Sequence, residues 1–307
     1  MKKLSFFRVF CKLTLSTLLC GQIAAQSVTH ADLSADKLVP ITLKFDNGGS
    51  ITFKPIPLGA MPFKMGSPKS EVERADVKED QVDVTLTKSY WMAETEVTQA
   101  QWESVMGTSL KQHKDKHSPQ GEMVGEGPDQ PMCYVNYDDA VAFCKKLNTL
   151  FAKQLPAGTK VRLPTEAQWE YASRGGDTTR VFGVGDGTNL RKKNANFDWS
   201  RPYGKAVKSA ASTGPVAVKS YPADKTYGLF DMHGNVWEWC LDLWDGESKL
   251  IGGIDPISKV GSQRVLRGGA WTYEGWSCRS AIRVRDRPSV RTADCGFRPA
   301  IVSQLLK

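Results

Sequence analysis

The sequence predicts a loop-rich α+β fold with low regular secondary structure. Three observations carry this reading: 27 glycines and 16 prolines in 307 residues, the absence of a long amphipathic helix or heptad run, and short alternating strand segments interleaved with capped helices. A hydrophobic content of 40% with nine tryptophans supplies apolar surface for a sizeable core, and a loop-rich mixed fold fits better than a helical bundle.

The elements follow in chain order. ITLKFDNGGSITFKPI, from Ile41, predicts two short strands around a turn at Asp46, Asn47, Gly48 and Gly49. VDVTLTKSYWMAETEV, Val82 to Val97, alternates apolar and polar residues and reads as a second strand region. Thr98 with Gln101 three residues later is a capping signature that starts a helix. Residues 108–130, rich in Lys, His, Gly, Asp and Pro, read as an exposed loop, including His113 and His117. Tyr137 to Asn148 predicts a helix capped by Asn136 or Asp138, with Ala140, Phe143, Cys144 and Leu147 on its core face. Thr165 with Gln168 starts another, running to Arg174 and placing Trp169 in the core. Beyond Gly176 no helix is predicted, and residues 177–227 form long loops and short strands. Loops of that length carry function or need a staple, and a bound cation could be that staple.

Residues 1–25 read as a secretory signal: Lys2, Lys3 and Arg8 precede a mostly apolar stretch from Leu13 to Ile23, and Ala24 and Ala25 offer a cleavage site. That stretch is too short to span a bilayer. The mature chain is therefore expected to be exported, periplasmic or secreted, with no transmembrane anchor after cleavage. Residues 26–40 form a polar lead-in and 41–307 a single domain. Removing Lys2, Lys3, Arg8 and Lys12, with no acid among residues 1–25, lowers the formal charge from +8 to +4. The remaining basic residues are scattered, so no nucleic-acid partner is expected. Five cysteines remain after cleavage: Cys133, Cys144, Cys240, Cys278 and Cys295. None forms a CxxC pair, which argues against a zinc module.

The most unusual segment is GLFDMHGNVWEW, Gly228 to Trp239. Gly228 and Gly234 free the backbone to turn carbonyls inward, and Asp231 with Glu238 could complete an oxygen cage of the kind Ca2+ requires. Further blocks occur in order: FKMGS at 63–67, ETEVTQAQWESVMG at 94–107, RLPTEAQWEYASRGG at 162–176, RVLRGGAW at 264–271, CRSAIR at 278–283 and GFR at 296–298. Together, over roughly residues 50–302, these resemble the formylglycine-generating enzyme or sulfatase-modifying factor family. The resemblance implies a fold related to C-type lectins. It also implies a calcium site from Asp231, the carbonyls of Gly234 and Val236, and Glu238. A second calcium site would begin with the Asn196 side chain and the Phe197 carbonyl, although KSAASTG before Pro215 lacks the aspartate that should complete it.

For activity, the resemblance implies an oxidase that modifies a side chain of a partner protein or a small molecule. Family enzymes do this with two cysteines that bind Cu(I), a soft ion selected by thiolates. Here Tyr273 stands in the place of the first cysteine and Cys278 falls at the second, making Cys278 the candidate catalytic residue. Counted back from Ala281 and Arg283, Cys278 falls on a different family residue, and a structural thiol or a disulfide with Cys295 are the alternatives. Another branch of the superfamily oxidises with nonheme iron on three histidines, whereas this chain has His30, His113, His117 and His233. Copper or iron is thus a second cofactor expectation beside Ca2+. Arg279, Arg283, Arg285 and Arg287 alternate with other residues and would share one strand face. They would either pair with acids such as Asp242 or Asp286, or line an anionic substrate groove with Trp237 and Trp271. A noncatalytic, calcium-stabilised binding module is the competing function.

Overall fold

The computed structural model describes residues 38–75, 79–117, 122–244, 246 and 249–304, so the signal segment and most of the lead-in lie outside the described residues. The first hairpin forms where the alternation predicts it. Strand β1 (Ile41–Lys44) pairs antiparallel with β2 (Ser50–Ile56), Ile41 opposite Phe53. Its turn closes through the Phe45 N–H and the Gly49 carbonyl at 2.8 Å, with Gly48 at φ 86°, a conformation that glycine adopts without steric cost.

The region from Val82 to Val97 divides into two strands in two sheets. Strand β4 (Val82–Thr85) pairs antiparallel with β3 (Phe63–Met65), and in parallel with β8 (Gly253–Ile254). Strand β5 (Tyr90–Ala93) instead enters a five-stranded sheet of order β1-β2-β5-β12-β6, where β6 is Thr159–Arg162 and β12 is Ala300–Ser303. Every residue of β5 is buried because the sheet is covered on both faces: Trp91 and Ala93 point into one core, Tyr90 and Met92 into the other, as a period of two requires. A third sheet has the order β10 (Val284–Asp286), β9 (Gln263–Arg267), β7 (Trp237–Trp244), β11 (Cys295–Gly296).

The helices predicted from capping signatures all form. Helix α1 (Gln99–Met106) has the reciprocal Thr98–Gln101 cap and ends at Gly107 in the left-handed region, φ 77°. Asn136, not Asp138, caps α3 (Tyr137–Leu150), and Thr165 with Gln168 caps α4 (Glu166–Ser173). Between α1 and α3 the structure departs from the sequence reading, because α2 (Leu110–His117) occupies part of the expected loop. Ser109 and Gln112 make the same reciprocal cap at 2.9 and 3.2 Å. His113 turns inward until its ring meets Trp102 at 5.1 Å. The lysine-rich composition hid a capping signature of the type that was recognised elsewhere. No helix of the described residues is long and apolar enough to cross a membrane.

From 177 to 227 neither a helix nor a strand ladder forms, and aspartates stiffen the chain. Asp177, Asp186, Asp198 and Asp224 each accept the backbone N–H two residues on, from Thr179, Thr188, Ser200 and Thr226, at 2.8–3.0 Å. Such side-chain-to-backbone bonds replace the ladder bonds that a loop lacks. The repeated signal is Asp-x-Ser/Thr, legible in the sequence as DTT, DGT, DWS and DKT.

Asp224 is the most consequential of the four, being 4% exposed and also accepting the N–H groups of Tyr227 and Leu229. Asp224→Ala strands three part-buried donors and should lower the unfolding free energy by about 3 kcal/mol. Asp224→Asn, which keeps an acceptor oxygen, should lose less. Urea unfolding of the three proteins measures both, and equal stability of the alanine variant would show that the loop does not depend on this turn.

Candidate functional site

Segment 228–239 is a turn that straightens into β7. Asp231, Gly234 and Asn235 all lie in the left-handed region, at φ 57°, 99° and 64°. A Cβ on Gly234 would sit 2.2 Å from the Asn196 carbonyl oxygen, so only glycine allows this contact. Beyond the turn Glu238 points inward and is 1% exposed.

Glu238 is bound by protein. The Arg298 guanidinium donates to Oε1 from Nε at 3.0 Å and from Nη2 at 2.9 Å, and the Trp169 indole donates to Oε2 at 2.7 Å. The same pattern recurs across the motif blocks. Glu170 takes Arg174 at 2.9 Å, Arg267, and the Gly66 N–H at 2.7 Å. Arg279 reaches Glu79 at 2.7 and 2.9 Å and Glu71 at 2.6 Å, while Arg283 meets Glu166 at 2.7 and 2.6 Å.

These pairs correct the expected substrate groove. Arg279 is 0% exposed and Arg283 7%, and both are engaged by glutamates far away in sequence, with Asp242 also close enough to Arg283 for the two charges to interact. The four arginines do not share a strand face either, since β10 begins only at Val284 and Arg285 and Arg287 are exposed. Trp237 is buried in the main core, and Trp271 is half-buried with its indole N–H 3.5 Å from the Ala293 carbonyl.

Two further acids lie near Glu238. Glu96 is 0% exposed and neither of its carboxylate oxygens has a hydrogen-bond partner. Asp231 is 8% exposed and accepts the Lys219 N–H at 2.9 Å. Burial, followed by the charge of Asp231, pushes Glu96 well above the usual carboxylate range, and burial pushes Asp231 up to about 6. Three carboxylates thus share one buried guanidinium, Arg298. The excess negative charge must be met by protons or by a cation, because isolated buried charge is costly.

The expected calcium ligands fit this place in part. Asp231 retains a carboxylate oxygen beyond the Lys219 bond and Glu96 has two unengaged, whereas the Glu238 carboxylate is held by Arg298 and Trp169. No three His, Cys, Asp or Glu side chains converge as a metal cluster among the described residues, so a cation here would depend on the Gly234 and Val236 carbonyls as well. Glu96 went unread in the sequence, because its neighbours Thr95 and Val97 give no local sign that the side chain is buried.

At the second expected calcium position the Asn196 amide is satisfied by protein. Its oxygen accepts the Ser212 hydroxyl at 2.6 Å, and its NH2 donates to Gly214 at 3.0 Å and to the Asn235 side chain at 3.2 Å. Asn235 also accepts the Val216 N–H at 3.0 Å. Phe197 is buried in a small core with Phe182, Tyr203 and Cys278. A hydrogen-bonded cluster holds the loops together where the missing aspartate would have helped to hold an ion.

Cys278 closes that core. It is 0% exposed, and burial pushes its thiol far above the ordinary range. The Gly268–Gly269 turn covers it so closely that a Cβ on Gly269 would lie 2.5 Å from the sulfur. Its carbonyl faces His233 Nδ1 at 2.9 Å, while His233 Nε2 accepts the Gly183 N–H at 2.8 Å. Nδ1 therefore carries the proton, and burial lowers His233 to about 4, leaving a neutral strut between loops. All five cysteines among the described residues are free and buried, so Cys278 makes no disulfide with Cys295. Tyr273 points outward, 38% exposed, with its ring edge-on to Trp237 at 5.3 Å. His113 and His117 share one face of α2 with rings 4.7 Å apart, and His113 lies 3.4 Å from Asp139.

Loop 271–276 carries the exposed aromatic surface: Tyr273, Trp276 at 37% exposure, and half-buried Trp271. Ion pairs from Arg201 to Glu274 and to Asp198, the latter at 2.9 Å, brace it. Beside Trp276 a shallow hollow of about 350 Å³ is bordered by Glu73, Arg74 and Ala75.

Residues 56–302 match the sulfatase-modifying factor enzyme 1-like domain. The chain belongs to that family. It is 32% identical to the formylglycine-generating enzyme of Bos taurus over 180 residues, 56% of this chain and 44% of the relative. Against the inactive C-alpha-formylglycine-generating enzyme 2 of Bos taurus it is 30% identical over 186 residues, 59% of this chain and 53% of the relative. The chain thus spans about half the length of these curated relatives. Among solved structures, Treponema denticola variable protein 1 superposes with a TM-score of 0.64 at 27% identity, covering 86% of this chain and 99% of that one. The sulfatase-modifying-factor domain therefore has here the mixed, low-helix fold expected from the motif order.

Two outcomes follow. Arg267→Met takes from buried Glu170 one of its two guanidinium partners, leaving Arg174, and should cost roughly 3 kcal/mol, the lower end of the loss seen when one partner of a buried pair is removed; thermal and urea unfolding measure it, and a loss below about 1 kcal/mol would mean that the pair is not limiting. Alkylation of native protein comprising residues 26–307 with iodoacetamide should add no label, and unfolding should expose its five thiols; rapid native labelling at Cys278, seen by peptide mass spectrometry, would contradict its burial.

Proposed function

We propose that this protein is an exported, noncatalytic binding module built on the sulfatase-modifying-factor fold and stabilised by calcium. One observation carries the reading: Cys278 is sealed in a core and a tyrosine takes the place of its partner cysteine. Cu(I) binding by this chemistry needs two accessible thiolates. A buried thiol with its pKa far above neutrality supplies none, and a phenol is a poor ligand for so soft an ion. Similarity to relatives named as active and as inactive leaves this decision to the residues themselves.

The outward face of loop 271–276 offers a surface for recognition. Tyrosine and tryptophan offer large contact area with a polar tip, and residues of this kind anchor protein and small-molecule partners. Export follows from the signal-like residues 1–25, and a periplasmic or secreted location suits a module whose calcium comes from outside the cytosol. When bound, calcium would supply positive charge to the carboxylates of Glu96 and Asp231, with the Gly234 and Val236 carbonyls beside them.

The reading is tested by anaerobic Cu(I) titration of the wild type and Cys278→Ser. Weak and equal binding is expected, whereas tight stoichiometric binding lost in the variant would restore the oxidase. In a peptide and glycan array, capture of a ligand should disappear in Tyr273→Ala and Trp276→Ala while their melting temperatures hold; retention by both would move the site elsewhere.

For calcium, 1 mM Ca2+ after chelator treatment should raise the melting temperature of the wild type by several degrees, about the gain expected when a ligand exceeds its Kd a hundredfold. Glu96→Gln should lose most of that gain and be more stable than wild type in chelator, because it removes a buried unpartnered carboxylate. An identical response of both proteins to calcium would remove Glu96 from the site.

A further inference from the structure

Five buried arginines, Arg174, Arg267, Arg279, Arg283 and Arg298, each have a glutamate within ion-pair distance. Arg162, which is half-buried, differs from them. It lies on β6, the edge strand of the five-stranded sheet, and one of its guanidinium nitrogens donates to the neighbouring Leu163 carbonyl at 2.7 Å. Among the described residues no carboxylate comes within ion-pair distance of it. Burial lowers its pKa to about 10, and the nearby charges of Asp242 and Asp255 offset that only in part.

Arg162 lines a cavity of about 450 Å³ between β6, the start of α4 and the 254–259 loop, a volume within the range of small-ligand pockets. Lys160 and Lys259 stand on the same wall system, and neither is in an ion pair among the described residues. The apolar part of the lining comes from Leu86, Ile254 and Ile257, with Ile254 73% exposed at the rim. Two acids lie near, Asp255 in the cavity lining itself and Asp242, and each is hydrogen-bonded by neutral donors of the protein. Asp255 accepts the Thr87 N–H at 2.9 Å and the Thr87 hydroxyl. Asp242 accepts the N–H groups of Glu166 and Ser258 at 2.7 and 2.9 Å, and burial raises it to about 7, which reduces the charge it can offer Arg162.

We propose that this cavity binds a small amphiphilic anion, its carboxylate or phosphate head on Arg162 between Lys160 and Lys259 and its apolar body against Leu86, Ile254 and Ile257. A guanidinium matches both head groups through paired N–H donors. The exposed isoleucine at the rim accounts for an apolar body, since an inorganic anion would leave it in water. This site shares no residue with the aromatic loop 271–276 and does not depend on the function proposed for it.

The experiment uses the mature protein and four eight-carbon probes below their micellar concentrations: octanoate, octyl phosphate, octanol and octyltrimethylammonium. Titration calorimetry should give one-to-one binding of at least one of the two anions and none of octanol or the cation, and the preferred anion identifies the head group. Arg162→Gln should weaken that binding about tenfold or more, the loss of a charge-assisted contact. Lys259→Gln, an exposed change that cannot disturb folding, should weaken binding by a smaller factor. Equal affinity for octanol and octanoate, unchanged affinity in Arg162→Gln, or no binding of either anion would each overturn the proposal.

Discussion

The structure depends on arginine–glutamate pairs buried at the centre of a chain that has little regular secondary structure. Glu170 ties Arg174 and Arg267 to the Gly66 N–H, so one carboxylate joins α4, β9 and the segment after β3. Glu238 ties β7 to Arg298, and Arg279 fastens its loop to Glu71 and Glu79 some two hundred residues away. Replacing a buried ion pair with apolar residues often costs nothing, so such pairs are weak evidence of net stability. Their value here lies in direction. A guanidinium fork accepts one orientation of a carboxylate, and a loop that ends on such a fork has one place to go.

Around that frame the loops satisfy their own polar groups. Four Asp-x-Ser/Thr turns carry the chain from 177 to 227, and the Asn196, Asn235 and Ser212 side chains hydrogen-bond to one another where two loops cross. Backbone groups buried without partners are expensive, and with few ladders available the side chains of aspartate and asparagine take up that task. Glu96 departs from this pattern, since both oxygens of its carboxylate are buried and unpartnered near Asp231. Buried charge of that kind is met by a cation or a proton.

The motifs that identify the family are therefore mostly parts of this frame. Glu170 and Arg174 come from EYASR, Arg267 from RVLRGG, Arg279 and Arg283 from CRSAIR, Arg298 from GFR and Glu238 from VWEW. Each is engaged by a partner inside the molecule, which leaves little of the signature free for chemistry. Cys278 sits in the same block as two of the arginines, and it is buried for the same reason: the strand-to-turn geometry of Gly268 and Gly269 packs directly on it. The outward residues of the region, Tyr273 and Trp276, belong to no motif.

The sequence by itself determined the elements whose signals are local. The hairpin at 46–49, the caps at Thr98, Asn136 and Thr165, and the family order of the blocks depend on contacts within a few residues, and they can be read from spacing. The helix at Leu110–His117 was equally local, but its Ser109–Gln112 cap was obscured by a run of lysines. Only the tertiary structure decided which face each functional candidate turns. Arg279 and Arg283 looked like a charged strand face because parity along the chain says nothing about a glutamate two hundred or one hundred residues earlier. Arg162 and Glu96 looked ordinary because their distinction is a missing partner, and a missing partner is a property of the three-dimensional surroundings. Charge in a low-dielectric interior is governed by what stands within a few ångströms, and that neighbourhood is assembled by long-range packing that no local pattern encodes.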